Sequence, residues 1–361
     1  MSEVCVVSAM IDEIIPHPNA DKLDLAKIGE YTTAVVRGEF KAGDLVAFFP
    51  PDILIPPGIA LKMGVAAYLK PAVYPGEYRK SACRVAAVRL RGSPSFGFCL
   101  KIQGVEPGVD LSGRFHAVKY EPPEPLWWNM TGDNESDDAR FYKYTSIENY
   151  RNSRFRGAFE TGLPVRITEK IHGTNSRVAL LGGDYFCGSH QCNKREYSKD
   201  VDHTERNRSL YWRPLTEDMK ALLWYFASEK GPNVIAYGEI YGAGVQFMSY
   251  GAPEKSGYRL FDISVNGEYV NWGEVEAACR RFCIPTVPLL YLGPFYPGLV
   301  DSLVDGPTTV VDPKTLKETF TGREGIVITP LQEQSSNIMG GRLIAKAVSV
   351  DYLACRKSDS H

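Results

Sequence analysis

The chain has 361 residues, 44% of them hydrophobic and 23% charged, with a formal net charge of −2. This composition belongs to a globular chain with enough residues for two ordinary domains and a sizeable core, and it excludes a disordered or collagen-like one. The near-neutral balance leaves no global field for nucleic acid, so any such contact must rest on local basic patches.

The N-terminal run MSEVCVVSAMIDEIIPHP carries acids and no basic n-region, so neither a signal nor a transit peptide is expected. No run reaches the about 18 apolar residues of a membrane span, and an intracellular, cytoplasmic chain is expected. The eight cysteines are then expected to be reduced thiols. Cys187/Cys192 and Cys279/Cys283 lack C-x-x-C spacing, which disfavours zinc. Cys279 and Cys283, four apart on a predicted helix, are expected to share an apolar face.

Residues 1–120 read as short strands punctuated by Gly and Pro: VCVVSAMI, LDLAKIG, TTAVVRG, DLVAFFP, RVAAVRLRG, FGFCLKI and RFHAVKY. That pattern predicts a small barrel or sandwich. Inside it, YRKSACRVAAVRLRGSPSF gathers Arg79, Lys80, Arg84, Arg89 and Arg91 with Tyr78 and Phe96. Basic residues interleaved with aromatics suit a surface that tracks phosphates and stacks bases, although strand alternation with solvent-facing charges produces the same pattern. Residues 121–145 are Pro-rich and then acidic, a composition suited to a linker, with Trp127 and Trp128 expected to dock on one domain. From 146 onward the pattern is mixed. PVRITEK, RVALLGG and DYFCGSH read as strands, the last two joined by a turn at Gly182-Gly183-Asp184. LTEDMKALLWYFASEKG reads as a helix capped by Thr216 and stopped by Gly231-Pro232, with Met219, Leu222, Leu223 and Phe226 as its apolar stripe. WGEVEAACRRFC reads as a second helix, and VIAYGEIYG, YRLFDISVNG, GIVITP and RLIAKAVS as further strands. The fold class is α+β.

The sequence lacks a Walker-type phosphate loop, G-x-S-x-G and H-E-x-x-H, and its one G-x-G, at Gly242 and Gly244, is isolated. What remains is a spaced set: K-x-x-G at Lys170–Gly173, Y-G-E at Tyr237–Glu239, L-F-D-I at Leu260–Ile263, E-G-I-V-I at Glu324–Ile328, and Lys346 in RLIAKAVS. Each is ordinary alone, and Lys170 is either a solvated lysine at a strand end or a nucleophile.

In this order, on predicted strands, the set resembles the covalent nucleotidyltransferase superfamily of ATP-dependent ligases and mRNA capping enzymes. EKIHGTN (169–175), with His172 where DNA ligases carry Asp, is similar to the nucleotide-attachment motif of RNA ligases. GEIYGAGVQ, LFDI and REGIVI are similar to their later motifs, and the resemblance spans about residues 146–350. HPNADKLDLAKIG and GEFKAGDLVAFFPPDILIP resemble OB-fold tRNA-binding modules, and an OB module ahead of such a domain resembles the Deinococcus-type RNA ligases. The resemblance implies an N-terminal OB-fold β-barrel (1–120), a linker (121–145) and an antiparallel-sheet nucleotidyltransferase domain of the ATP-grasp-like ligase kind (146–361). It further implies a monomer that uses ATP with Mg2+ or Mn2+ on RNA or a nicked RNA-containing duplex, with no membrane partner.

The resemblance assigns roles residue by residue. Lys170 attacks the α-phosphorus of ATP, carries AMP covalently, and passes it to a 5′-phosphate that a 3′-OH then attacks. A free lysine titrates near about 10.4, so a desolvated pocket, nearby cations and bound metal are expected to lower that value. Glu169 offers its backbone to the adenine edge. His172, Gly173 and Asn175 line ribose and phosphate, Gly173 by letting the backbone approach. Glu239 meets the ribose hydroxyl, and Phe261 either stacks on adenine or is a core phenylalanine. Glu324 supports the metal through water, and Lys346 meets the α-phosphate. Many RNA ligases place a further lysine where this chain has Val348; Arg342 or a residue near 194 is the expected compensation. An essential basic residue after the attachment motif is His190, Lys194 or Arg195, which hairpin length leaves open. RNA contact is expected from Lys194 and Arg195 and from Arg79, Lys80, Arg89 and Arg91. Two alternatives stand beside the ligase: a GTP-dependent RNA guanylyltransferase, disfavoured by His172 and by the OB module coming first, and a catalytically inactive RNA-binding module, disfavoured by the intact Lys170, Glu239, Glu324 and Lys346.

Overall fold

The structure, a computed structural model, describes residues 4–29, 31–74, 80–120, 133–152, 155, 157–198, 202–242, 244–246, 248–251, 256–316 and 320–355. Trp127, Trp128, Tyr78 and Arg79 lie outside the described residues. The chain divides into two compact units, one of Met1–Pro123, Glu148–Gly157 and Leu353–His361, the other of Glu124–Ile147 and Ala158–Tyr352.

The first unit is built from β1 (Val7–Met10), β2 (Glu13–Pro16), β3 (Leu23–Ile28), β4 (Tyr31–Val36), β5 (Leu45–Phe49), β6 (Ile53–Ile55), β7 (Lys70–Val73), β8 (Ser81–Arg84), β9 (Ala87–Leu90), β10 (Ser93–Phe96), β11 (Phe98–Lys101), β12 (Val118–Lys119) and a short helix at Pro57–Lys62. Its named strands pair antiparallel in small sheets ordered β1-β5-β11, β2-β3-β4, β9-β10 and β12-β6-β8-β7, and among the described residues no sheet closes on itself. The expected strand over RFHAVKY is instead a helical turn, Ser112–Phe115, followed by β12. Asp110 starts that turn, its carboxylate accepting from the Ser112 amide at 2.8 Å, a local turn bond that outweighs the strand pattern. β5 explains the core. Its run LVAFF is apolar on both sides, so Val46 and Phe48 join one cluster with Ile11, Ala26, Ile28 and Val35, while Ala47 and Phe49 join another with Ile53, Ile55 and Val85.

The second unit holds, beside a small two-stranded sheet of β24 (Ser335–Ser336) and β25 (Gly341–Arg342), two large antiparallel sheets. One contains β13 (Asn134–Glu135), β16 (Thr174–Leu181), β17 (Asp184–Ser189), β18 (Asn193–Lys194), β19 (Asn233–Gly242), β20 (Ser256–Val265) and β21 (Glu268–Tyr269), in the order β13-β18-β17-β16-β19-β20-β21. The other runs β26 (Ala345–Val348), β23 (Gly325–Pro330), β15 (Pro164–Lys170), β22 (Leu289–Pro294). The tight β16–β17 hairpin needs left-handed backbone at its tip, which Gly182 and Gly183 supply with φ of 61° and 104°. Thr216 caps the Glu217–Lys230 helix by accepting from the Met219 amide at 3.2 Å. Met219, Leu222, Leu223 and Phe226 of that helix bury against Val178, Leu180, Val234 and Ala236, together with Val275 and Cys279 of the Trp272–Arg281 helix. Each large side chain there removes from water a surface that stabilises by about 1.5–3 kcal/mol. Cys279 is in this core but Cys283, past the helix end with a φ of 55°, is exposed, so the two do not share a face. The opposite face of the same sheet presents Ala179, Leu181, Ile235 and Tyr237 to Phe141, Tyr144 and Ile344, with Phe261 and Val327 packed at the margin.

Candidate active site

Strand alternation builds the site. Along β15, register with β23 pairs Arg166 with Thr329, Thr168 with Val327 and Lys170 with Gly325. β23 in turn sets Val327 opposite Lys346 and Gly325 opposite Val348. Paired residues share a face, so one face of this sheet carries a row Thr168–Val327–Lys346 and a row Lys170–Gly325–Val348. In the other sheet Asn175 pairs with Glu239, and Glu239 with Arg259. Thr168, Lys170, Asn175, Glu239, Phe261 and Val327 line one cleft. Sequence motifs spread over residues 168–327 therefore converge in one place.

Lys170 donates from Nζ to Glu324 Oε1 at 2.7 Å. Burial alone would lower the Lys170 pKa, but the carboxylates of Glu324 and Glu239 outweigh it and hold the value above that of a free lysine. The protein's own charges thus favour the ammonium form of Lys170, and the lowering expected from nearby cations and bound metal must come from outside them. For Glu324, burial raises and the Lys170 ammonium, the foremost of the opposing influences, lowers, and the lowering wins, to about 2. Glu239 goes the other way. Desolvation is its largest influence, Lys170 pulls down, the Glu324 charge pushes up, and the result is about 8. Lys170 thus lies near two carboxyl groups with opposite tendencies. Glu324 is driven toward the ionised form and Glu239 toward the protonated one.

The turn after Lys170 is fixed by packing. A Cβ on Gly173 would lie 2.2 Å from the Ile240 carbonyl oxygen and 3.0 Å from the Glu239 side chain, so strand β19 itself demands glycine there. His172 is 4% exposed, and its amide donates to Tyr250 Oη at 2.8 Å. Asn175 Oδ1 and Glu324 Oε2 are buried without a hydrogen-bond partner among the described residues. Buried polar atoms are rarely left so, and both belong to the cleft's own motifs.

Glu169 also lines the cleft, but its carboxylate is engaged elsewhere. Its carboxylate accepts from Thr308 Oγ1 at 2.5 Å, the Thr309 amide at 2.6 Å and Thr309 Oγ1 at 2.6 Å. Arg259 donates to the Val310 carbonyl at 3.2 Å, and Arg323 to those of Leu303 and Pro307. The strap 303–310 is therefore held by residues that flank Lys170, Phe261 and Glu324. Phe261 is half-buried, edge-on to Tyr144 with centroids 4.9 Å apart. Beside it, Asp262 is 1% exposed and takes Arg166 at 2.7 Å, Arg342 at 2.9 Å and the Tyr144 hydroxyl. Arg342 also pairs with Glu333 at 2.5 Å and lies 3.7 Å over the Tyr269 ring. Arg342 is thus committed to this buried network rather than standing in for a lysine at Val348. Arg166, Tyr144 and Thr308 carried no signal of their own in the sequence, and the bonding of Asp262, inside the LFDI motif, was not legible there, because their partners lie tens to hundreds of residues away.

The remaining candidates are spread out. Lys194 is 6% exposed, its ammonium on Asn134 Oδ1, and Arg195 pairs with Glu135 at 2.9 Å. His190 is half-buried and, by burial first and then Arg177 and Lys143, has a lowered pKa. In the first unit Lys80, Arg89 and Arg91 are exposed, whereas Arg84 is tied to Asp52 at 2.7 Å.

The sequence profile of RNA ligase matches residues 163–348, just over half of the chain. No curated protein matches it. Structures of Naegleria gruberi RNA ligase resemble the chain at 20% identity. A variant with ATP and Mn has a TM-score of 0.73 and covers 97% of this chain and 98% of that one. Another variant, with AMP and Mn, also has a TM-score of 0.73, and the enzyme with PPi has 0.70, both with the same coverage. At that identity these structures speak for the fold. The profile, which spans every motif from Lys170 to Lys346, places the chain in the RNA ligase family.

Proposed function

We propose that the protein is an ATP-dependent RNA ligase that joins a 3′-OH to a 5′-phosphate, at nicks whose 3′-OH strand is RNA, in RNA repair. The observation that carries this reading is Lys170 Nζ at 2.7 Å from Glu324, in a cleft that also holds Glu239, Asn175 and Phe261. Lys170 Nζ forms a bond to the α-phosphorus of ATP as the bond to the pyrophosphate oxygen breaks, and pyrophosphate leaves with the electron pair. AMP then moves from Lys170 to the 5′-phosphate, and the 3′-OH displaces it. The amine must first lose a proton, so whatever draws Glu324 off Lys170 prepares the attack.

Within this reading Glu169 meets the adenine edge through its backbone, its side chain being engaged with the strap. Phe261 stacks on the adenine, and Glu239, mostly protonated, donates to a ribose hydroxyl, which an ionised carboxylate cannot do. Asn175 Oδ1 and Glu324 Oε2 gain the partners they lack. Glu324 would hold Mg2+ or Mn2+ through water, and the cation neutralises triphosphate charge. Lys346 meets the α-phosphate and His172 the same region. Most of the first unit, residues 1–120, is read as an OB-fold module of Deinococcus type whose Arg79, Lys80, Arg89 and Arg91 track the RNA backbone. The catalytic domain is read over most of 146–361, with Asn134–Glu135, Phe141 and Tyr144 from the expected linker 121–145 belonging to its sheet and core. Lys194 and Arg195 add RNA contact near the ends, and the protein acts as a monomer.

Incubation with α-labelled ATP and a divalent cation is expected to leave acid-labile label on the denatured protein, absent in Lys170→Ala. Label retained in Lys170→Ala, or taken from GTP instead of ATP, would overturn the reading.

A further inference from the structure

His172 is held on its ring as well as on its backbone. Its Nδ1 lies 3.0 Å from the hydroxyl of Tyr352, with both residues buried, 4% and 6% exposed. The same Nδ1 is 3.8 Å from Glu324 Oε2, too far for a hydrogen bond, and that oxygen is buried with no hydrogen-bond partner among the described residues. Were Nδ1 protonated and free to choose, a buried carboxylate oxygen would be the stronger acceptor than a phenol. The ring keeps to Tyr352 instead. A hydroxyl that donates to Nδ1 explains this, because Nδ1 then offers a lone pair and has nothing to give to Glu324.

Tyr352 is itself held firmly. Its amide donates to Ser349 Oγ at 3.2 Å, and Ser349 Oγ donates to Asp305 Oδ1 at 2.7 Å. Asp305 Oδ1 also accepts from the Val350 amide at 3.1 Å. The Tyr352 ring packs near Phe320, with centroids 6.1 Å apart. The strap that Glu169 grips at Thr308 and Thr309 thus begins beside the group that anchors Tyr352.

We propose that Tyr352 is a positioning residue: its hydroxyl donates to Nδ1 of His172, fixes the ring in the tautomer with the proton on Nε2, and so leaves Glu324 Oε2 unengaged for the reaction. This rests on the ligase reading for its consequence but not for its geometry. Outer partners that orient metal-ligating histidines cost about 10- to 100-fold when removed. The Tyr352 hydroxyl is placed to orient His172 in a comparable way, and Tyr352→Phe, which deletes one oxygen, is the smallest test.

Two readouts separate the proposal from the ligase reading. The first is the 15N NMR signature of His172 in the full-length, ligand-free protein, assigned by loss of the signal in His172→Gln. A pyridine-type Nδ1 with a pyrrole-type Nε2 is expected, changing in Tyr352→Phe. A pyrrole-type Nδ1 in the parent protein overturns the proposal whether or not any label is taken from ATP. The second is the rate of Lys170 labelling by α-labelled ATP. Tyr352→Phe is expected to slow it about tenfold with half-saturating ATP unchanged. An unchanged rate, or a loss confined to ATP affinity, overturns the proposal. If Tyr352→Phe does not fold, the signature of the parent protein still decides.

Discussion

Lys170 and Glu324 are each other's main electrostatic partner, and removing one should be legible on the other. Glu324→Gln takes away the largest influence that raises the lysine and leaves burial acting against it. Lys170 of that variant is expected to react with an amine-selective reagent at lower pH than in the parent, measured by mass spectrometry across a pH series. Coincident profiles would show that the ion pair does not control the amine. Glu239 gives a second test. Its folded pKa, about 8, lies above the ordinary value of 4.5, so between those values the native state keeps a proton that the unfolded chain has released. Stability therefore falls as pH rises through that window. Glu239→Gln lacks this loss, so its melting temperature is expected to gain on the parent's between pH 5 and pH 9. Parallel curves would place Glu239 at an ordinary carboxylate value.

At the scale of the strand, β15 has two faces with different tasks. Lys170 faces the cleft, and its neighbour Glu169 faces the strap, where it accepts three hydrogen bonds. Glu169→Ala is expected to destabilise the protein by about 2–3 kcal/mol in urea unfolding, the scale of hydrogen bonds to a buried charge, and to slow Lys170 labelling by loosening its strand. Gly173→Ala should do comparable harm, because its new methyl meets the backbone of β19. Much of this strand was legible beforehand. The run PVRITEK, the Gly182-Gly183 hairpin, the Thr216 cap and the order of Lys170, Glu239, Phe261 and Glu324 all follow from local periodicity, turn chemistry and motif resemblance. Three things were not. The side-chain duty of Glu169 depends on Thr308, which lies 139 residues away. Arg342 read as compensation for the lysine missing at Val348, whereas it is bound to Asp262 and Glu333. Lys194 read as a basic residue for RNA contact, and β18 buries it. Local patterns report which face a residue is on, whereas pairing across a fold leaves no trace in the neighbouring letters.

At the scale of the whole molecule, the proposed division of labour assigns chemistry to one unit and strand-holding to the other. Binding to a nicked RNA duplex should then weaken with salt, each neutralised phosphate contributing a slope of about −0.9. In Arg89→Ala/Arg91→Ala the slope of log affinity against log salt is expected to flatten by about 2, with Lys170 labelling unchanged. An unaltered slope would move the RNA path elsewhere. The polypeptide passes between the two units four times, at 123/124, 147/148, 157/158 and 352/353. No single cut can therefore release either unit whole, and a gene fragment ending at any one of these points strands part of its partner. Exchange of either unit through a single crossover would therefore leave the other incomplete.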